Sequence, residues 1–200
     1  MSVMNVIRHR YFTWAILALP AIGMSFGLSS GNVTPHELLH PTGEFSVRAM
    51  LLALFCSPLV LLFPRVKIFK SLTRRRRYLG VAAFGYGLFH TVLYLIDKGT
   101  LADILGEALL LPIWTGWVAF LIFVPLAATS HDAMVRKLGA RRWKNLQRLT
   151  YAAAVLTAAH WLFLDYEWGP VLVHFVPLAA LEIARIVKMR SGSKPEQVAV

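Results

Sequence analysis

Apolar residues dominate this chain in long runs rather than in narrow stripes. A helix needs roughly 20 apolar residues to cross the hydrocarbon of a bilayer. Six runs approach that length, at 11–28, 45–63, 78–96, 112–128, 149–164 and 170–187. The fifth and sixth are short and closely joined through "DYEWGP", where Gly169 and Pro170 supply a turn and the start of the next helix. The pattern predicts an all-α integral membrane protein, a six-transmembrane-helix bundle in one domain over residues 1–200, with the polar stretch 190–200 as a flexible tail. The first run follows Arg8 and Arg10 as a signal peptide would, but it is long and lacks a small-residue cleavage pattern, so it reads as a retained span. No internal repeat is apparent.

Charge orients these runs. Lys and Arg number 21 against 10 Asp and Glu, an excess that in a soluble protein would suggest nucleic acid. Here 19 of the 21 fall in the N-terminal segment, in the connectors after the second and fourth runs, and in the C-terminal tail. Only Arg48 and Lys98 fall on the other side. By the positive-inside rule both termini are cytoplasmic, and adding or losing one span would spoil the alternation. The basic clusters are therefore topology signals that also meet anionic lipid headgroups, and nucleic acid is excluded as a partner. Hydrophobic residues make up 57% of the chain and charged ones 16%, which places it in a membrane rather than in solution. Cys56 stands alone, so there is no intrachain disulfide, no thiolate cluster and no attachment site for c-type heme. No phosphate-cradling glycine loop is present.

The candidate chemistry lies in the histidines. Of the seven, only His90 and His160 fall deep inside apolar runs. Both runs leave the basic side, and both histidines lie roughly 16 to 18 Å along them at the helical rise. Two imidazoles at one depth on parallel helices suit a bis-histidine heme iron; two buried imidazoles hydrogen-bonded to neighbouring carbonyls remain the alternative. Gly80, Gly85 and Gly87 with Ala82 and Ala83 in one run, and Ala152, Ala153, Ala154, Ala158 and Ala159 in the other, leave room for a flat macrocycle or for ordinary helix packing. Zinc is disfavoured because third and fourth ligands at that depth are missing. His36 and His40 in "TPHELLHPTG" are spaced to face one way on a helical turn, with Glu37 between them, and fit either a metal or a polar connector. His174, near the outer start of the last run, suits a heme edge or a quinone carbonyl. His9 and His131 belong to the cytoplasmic side.

Several stretches together resemble the MsrQ or YedZ family, the heme-binding membrane subunits of bacterial methionine-sulfoxide reductase systems within the ferric-reductase-like transmembrane group. The carriers are "HPTG" followed by Arg48, "RRRRYLG", "LFHTVLY" with His90, "ATSHDAMVRKLG" followed by Trp143 and Leu146, and "LTYAAAVLTAAHWLF" with His160. The resemblance implies a b-type heme protein that passes electrons to a periplasmic molybdenum-cofactor oxidoreductase, with the substrate chemistry on that partner. It allows flavin mononucleotide as a further cofactor. In two-heme relatives the inner heme uses histidines at positions that here are Arg76 and Gln147, so one heme is expected, near the outer face. Its distance from the cytoplasmic surface, approaching roughly 16 Å, favours quinol in the bilayer over a soluble flavoprotein as electron donor. His90 and His160 are the expected axial ligands, Arg48 the partner of a heme propionate, and His40 and His174 candidates for the heme edge or quinone site. The alternatives are a ferric or cupric reductase membrane component served by a flavoprotein, and a non-redox transporter or scaffold.

Overall fold

A computed structural model describes residues 10–165 and 168–191, and among these all regular secondary structure is helical. The long helices are α1 (Arg10–Ser29), α2 (Pro35–Leu62), α4 (Arg76–Lys98), α6 (Leu111–Ala128), α9 (Leu149–Asp165) and α10 (Trp168–Ser191). Short helices fill the connectors: α3 (Lys67–Arg74), α5 (Leu101–Glu107), α7 (Asp132–Leu138) and α8 (Ala140–Gln147). Five helices, α1, α2, α4, α6 and α10, are long and apolar enough to cross a membrane. The fifth predicted run forms α9, whose 17 residues extend about 26 Å.

The largest departure from the hydropathy reading is α2, which starts at Pro35 rather than near residue 45. The polar "TPHELLHPTG" is helix, because its first residues form a complete start signal. The Thr34 hydroxyl accepts from the Glu37 amide, the Glu37 carboxylate accepts from the Thr34 amide, and Pro35 takes the position where a missing amide proton costs nothing. The added turns carry His36 and His40 onto the helix that holds the core. At the other end of the chain, the expected turn at Gly169 and Pro170 is replaced by the first turn of α10, in which a proline fits. Residues 166 and 167 of that hairpin, the tail 192–200 and His9 lie outside the described residues.

Helix α2 is the axis of the bundle: half of its most apolar window is buried, against 6% for α1 and 11% for α10. It packs along α4, while α6 packs along α9 and α10 lies against α2. Met50, Leu54, Ala83 and Ala153 form the centre of the core. The Ser46 hydroxyl crosses from α2 to donate to the Ala83 carbonyl at 2.8 Å. Helix α1 is tied to the rim at Pro20, where the Tyr86 hydroxyl donates to the Leu17 carbonyl at 2.7 Å and accepts from the Ala21 amide at 3.2 Å. Outside, Ile16, Leu19, Ile22 and Phe26 on α1 and Leu172, Val173 and Val176 on α10 are exposed. In water such an apolar surface would drive aggregation; against lipid tails it needs no cover.

Candidate functional site

Helices α2, α4, α6 and α9 enclose a cavity of about 450 Å³ whose walls include His90, His160, Val47, Phe120, Phe123, Trp117 and Trp161. The imidazoles of His90 and His160 face each other across 6.2 Å between ring centres, with their planes at 85°. The Nδ1 atom of His90 lies 2.9 Å from the Leu39 carbonyl, and that of His160 lies 2.6 Å from the Pro112 carbonyl. A carbonyl oxygen only accepts, so Nδ1 carries the proton in both rings and Nε2 carries the lone pair.

The two seats are built alike. Each carbonyl is followed four residues later by a glycine, Gly43 after Leu39 and Gly116 after Pro112, on which the imidazole rests. A Cβ at Gly43 would stand 3.3 Å from His90 Nδ1, and one at Gly116 would stand 2.7 Å from His160 Nδ1, inside contact distance. Before each glycine stands a threonine whose hydroxyl donates back to its own helix: Thr42 to the Leu38 and Leu39 carbonyls, Thr115 to those of Leu111 and Pro112. The dipeptide Thr-Gly occurs only at these two places in the chain. That recurrence was the available signal, and a search for repeats of whole segments passes over it.

The seats fit a metal between the rings. Two imidazoles bound on opposite sides of one metal atom through Nε2 have ring centres about 6 Å apart, given bonds near 2.0 Å and ring centres about 1.1 Å beyond the nitrogens. The Leu39 and Pro112 carbonyls behind the rings also fix the tautomer such a ligand requires. The Tyr94 hydroxyl lies in the cavity wall, buried and without a hydrogen-bond partner among the described residues, a donor available to an occupant. No three of His, Cys, Asp and Glu converge on a metal site among the described residues.

The other predicted residues are distributed unevenly around this centre. His40 lines the cavity with its ring 6.1 Å from that of Trp161. His36 is at the mouth, 3.2 Å from Asp97. His174 also packs on Trp161, with ring centres 5.2 Å apart and Nδ1 donating to the Pro170 carbonyl at 2.7 Å, and is not among the residues lining the cavity. Arg48 is half exposed and paired at 2.5 Å with Glu44, and it is Glu44 that reaches the cavity. Gly87 touches Ser46 across the α2–α4 contact, whereas nothing lies near where a Cβ would stand at Gly80 or Gly85. The room at the imidazoles therefore comes from Gly43 and Gly116, on the helices facing the histidines. Arg76 donates to Ser57 at 3.0 Å and Gln147 to the Leu126 carbonyl at 3.1 Å; both line a separate cavity toward the basic end of the bundle.

Two imidazoles brought together inside a bundle with five helices able to span define a class of multi-pass membrane protein with a paired-histidine centre. Residues 42–158 match the family described as ferric reductase like transmembrane component. The chain belongs to that family, and within it to the MsrQ heme-binding subunits of protein-methionine-sulfoxide reductase. It is 34% identical to the MsrQ subunit of Ralstonia nicotianae over 74% of this chain and 71% of that protein. To the subunit of Brucella anthropi it is 30% identical over 92% of this chain and 84% of that protein. The subunit of Azospira oryzae is 36% identical, and the match spans 73% of this chain but only 64% of that relative's length. No solved structure matches the chain.

Proposed function

We propose that this chain is a b-type heme electron-transfer subunit in which His90 and His160 are the axial ligands of a single heme. The observation that carries the reading is the pair of facing imidazoles, 6.2 Å apart, each held through Nδ1 by a backbone carbonyl. When bound, heme supplies a one-electron carrier whose potential responds to its axial ligands and burial. The Leu39 and Pro112 carbonyls keep Nε2 turned to the centre and raise its basicity. Trp117, Phe120, Phe123 and Trp161 exclude water. Tyr94, whose hydroxyl is buried without a partner among the described residues, would donate to the polar edge of the group, and Arg48, now paired with Glu44, would hold one of its carboxylates. His40 lies at that edge, and His174 braces Trp161 beside a quinone position.

In this reading α9 is the sixth span, both termini are cytoplasmic, and the protein lies in the bacterial inner membrane. The centre is on the outer half, so quinol in the bilayer is the donor and a periplasmic molybdenum-cofactor oxidoreductase, which repairs oxidised methionines, is the acceptor. Flavin mononucleotide, if carried, would bind away from the paired histidines. Purified protein supplemented with heme is expected to show a Soret band at one heme per chain, lost in His90→Ala and in His160→Ala. A colourless wild type would overturn the reading, and two hemes per chain would overturn its single-heme part.

A further inference from the structure

The second cavity, of about 300 Å³, opens at the end of the bundle that carries the basic connectors. Its deep wall is apolar, with Met50, Leu54, Phe123 and Leu126. Toward the opening the lining is cationic: Arg76 and Arg185 are half-buried, and Arg77, Lys144 and Arg148 are exposed at the mouth. Among the described residues no carboxylate and no histidine lines it. The nearest acids are already engaged, Glu182 with Arg185 and Tyr151, and Asp132 with Arg77. The Nε–H of Arg185 remains buried with no hydrogen-bond partner among the described residues. With Arg185 and Arg77 paired, Arg76, Lys144 and Arg148 leave the cavity net positive, and beside them a buried guanidinium donor without an acceptor calls for an anionic one. Planar guanidinium groups suit phosphate oxygens in particular.

We propose that this cavity binds the phosphate group of an anionic phospholipid, with Arg76 and Arg185 holding the phosphate and the apolar wall receiving the glycerol and upper acyl chain. Arg76 begins α4 and Arg148 precedes α9, so the cations stand where spanning helices leave the hydrocarbon, the level of the headgroup phosphates. Anionic headgroups there attract basic side chains. A site inside the bundle differs from diffuse attraction in holding one lipid at a defined place.

Native mass spectrometry in non-ionic detergent tests this, with dioleoylphosphatidylglycerol titrated against dioleoylphosphatidylcholine. One phosphatidylglycerol per chain is expected to bind ahead of all others. Arg76→Gln and Arg185→Gln are each expected to weaken that first binding about fivefold. Arg185 also pairs with Glu182, so Lys144→Gln, at the exposed mouth, gives a second variant that leaves the packing untouched; a weakening in the same direction is expected. Arg141→Gln, outside the cavity, should bind as wild type does. Equal binding of the two lipids, or an equal loss in Arg141→Gln, would overturn the proposal. Flavin absorbance that co-purifies and disappears with Arg76→Gln would assign the phosphate to a soluble phosphomonoester and overturn the lipid. The heme spectrum read from the same samples is expected to be unchanged, which keeps this outcome separate from that of the heme reading.

Discussion

His90 rests on α2 and His160 on α6, each on a carbonyl and a glycine one turn further on, yet the second seat is the closer of the two. Its hydrogen bond is 2.6 Å against 2.9 Å, and the missing Cβ would stand 2.7 Å from the ring rather than 3.3 Å. The His90 seat is looser but has an additional contact, since Nδ1 also lies 3.4 Å from the Thr42 hydroxyl. The helix starts differ too: α6 has Pro112 in its first turn, so His160 meets a carbonyl near the helix start. Leu39 lies a full turn inside α2, beyond its capping box.

Breaking the tighter seat is expected to have the largest effect. Gly116→Ala puts a methyl where His160 stands and costs about 1–3 kcal/mol of stability if the ring is forced aside. Heme retention on purification should fall at least tenfold. Gly43→Ala asks His90 to move only a few tenths of an ångström, so it should lower retention several-fold less than Gly116→Ala, with both read from Soret absorbance per chain. Equal effects would show that the two seats do not differ in tightness.

The polar contact gives a smaller contrast. Thr42→Val removes a hydroxyl that meets His90, whereas Thr115→Val removes one that donates to the Leu111 and Pro112 carbonyls of its own helix. A difference of about 0.5–1.5 kcal/mol is expected between them in thermal unfolding, with Thr42→Val the less stable.

The smallest effect concerns the link between the halves at their basic end, where Arg77 of α4 pairs with Asp132 after α6. The guanidinium holds the Asp132 carboxyl below the usual carboxylate range. The pair's contribution is therefore present above the unfolded carboxyl's pKa, about 4, and fades as pH falls through the lower folded value. Both side chains are substantially exposed, so the effect is slight and screened by salt. The melting difference between wild type and Asp132→Asn should shrink toward zero in acid and at high salt.

Individual elements show how much was legible in advance. Runs at 78–96 and 112–128 became Arg76–Lys98 and Leu111–Ala128 with shifts of only one or two residues, because an apolar run of that length has few alternatives. The start of α2 was missed because hydropathy sees polar residues in "TPHELLHPTG", while the Thr34–Glu37 capping box depends on side chains meeting backbone amides. Matched depth along two runs brought His90 and His160 into one argument, and the structure places them side by side. Gly43 and Gly116 carry the close approaches to the histidine rings, which counting glycines within the histidines' own runs does not reach. Arg48 was matched to an outer anion by its position alone; Glu44, one turn before it, is its partner.

By itself the sequence determined the apolar runs, the side on which the basic connectors lie, and the presence of two histidines at one depth. Those are sums of local free energies along the chain, hydrophobic transfer and charge placement, and need no knowledge of neighbours. Only the tertiary structure decided that Thr42-Gly43 meets His90 and Thr115-Gly116 meets His160, and that Arg76 and Arg185 share a second cavity. Such contacts join residues far apart in sequence through carbonyl positions and missing side-chain atoms, which come into being only when the helices pack.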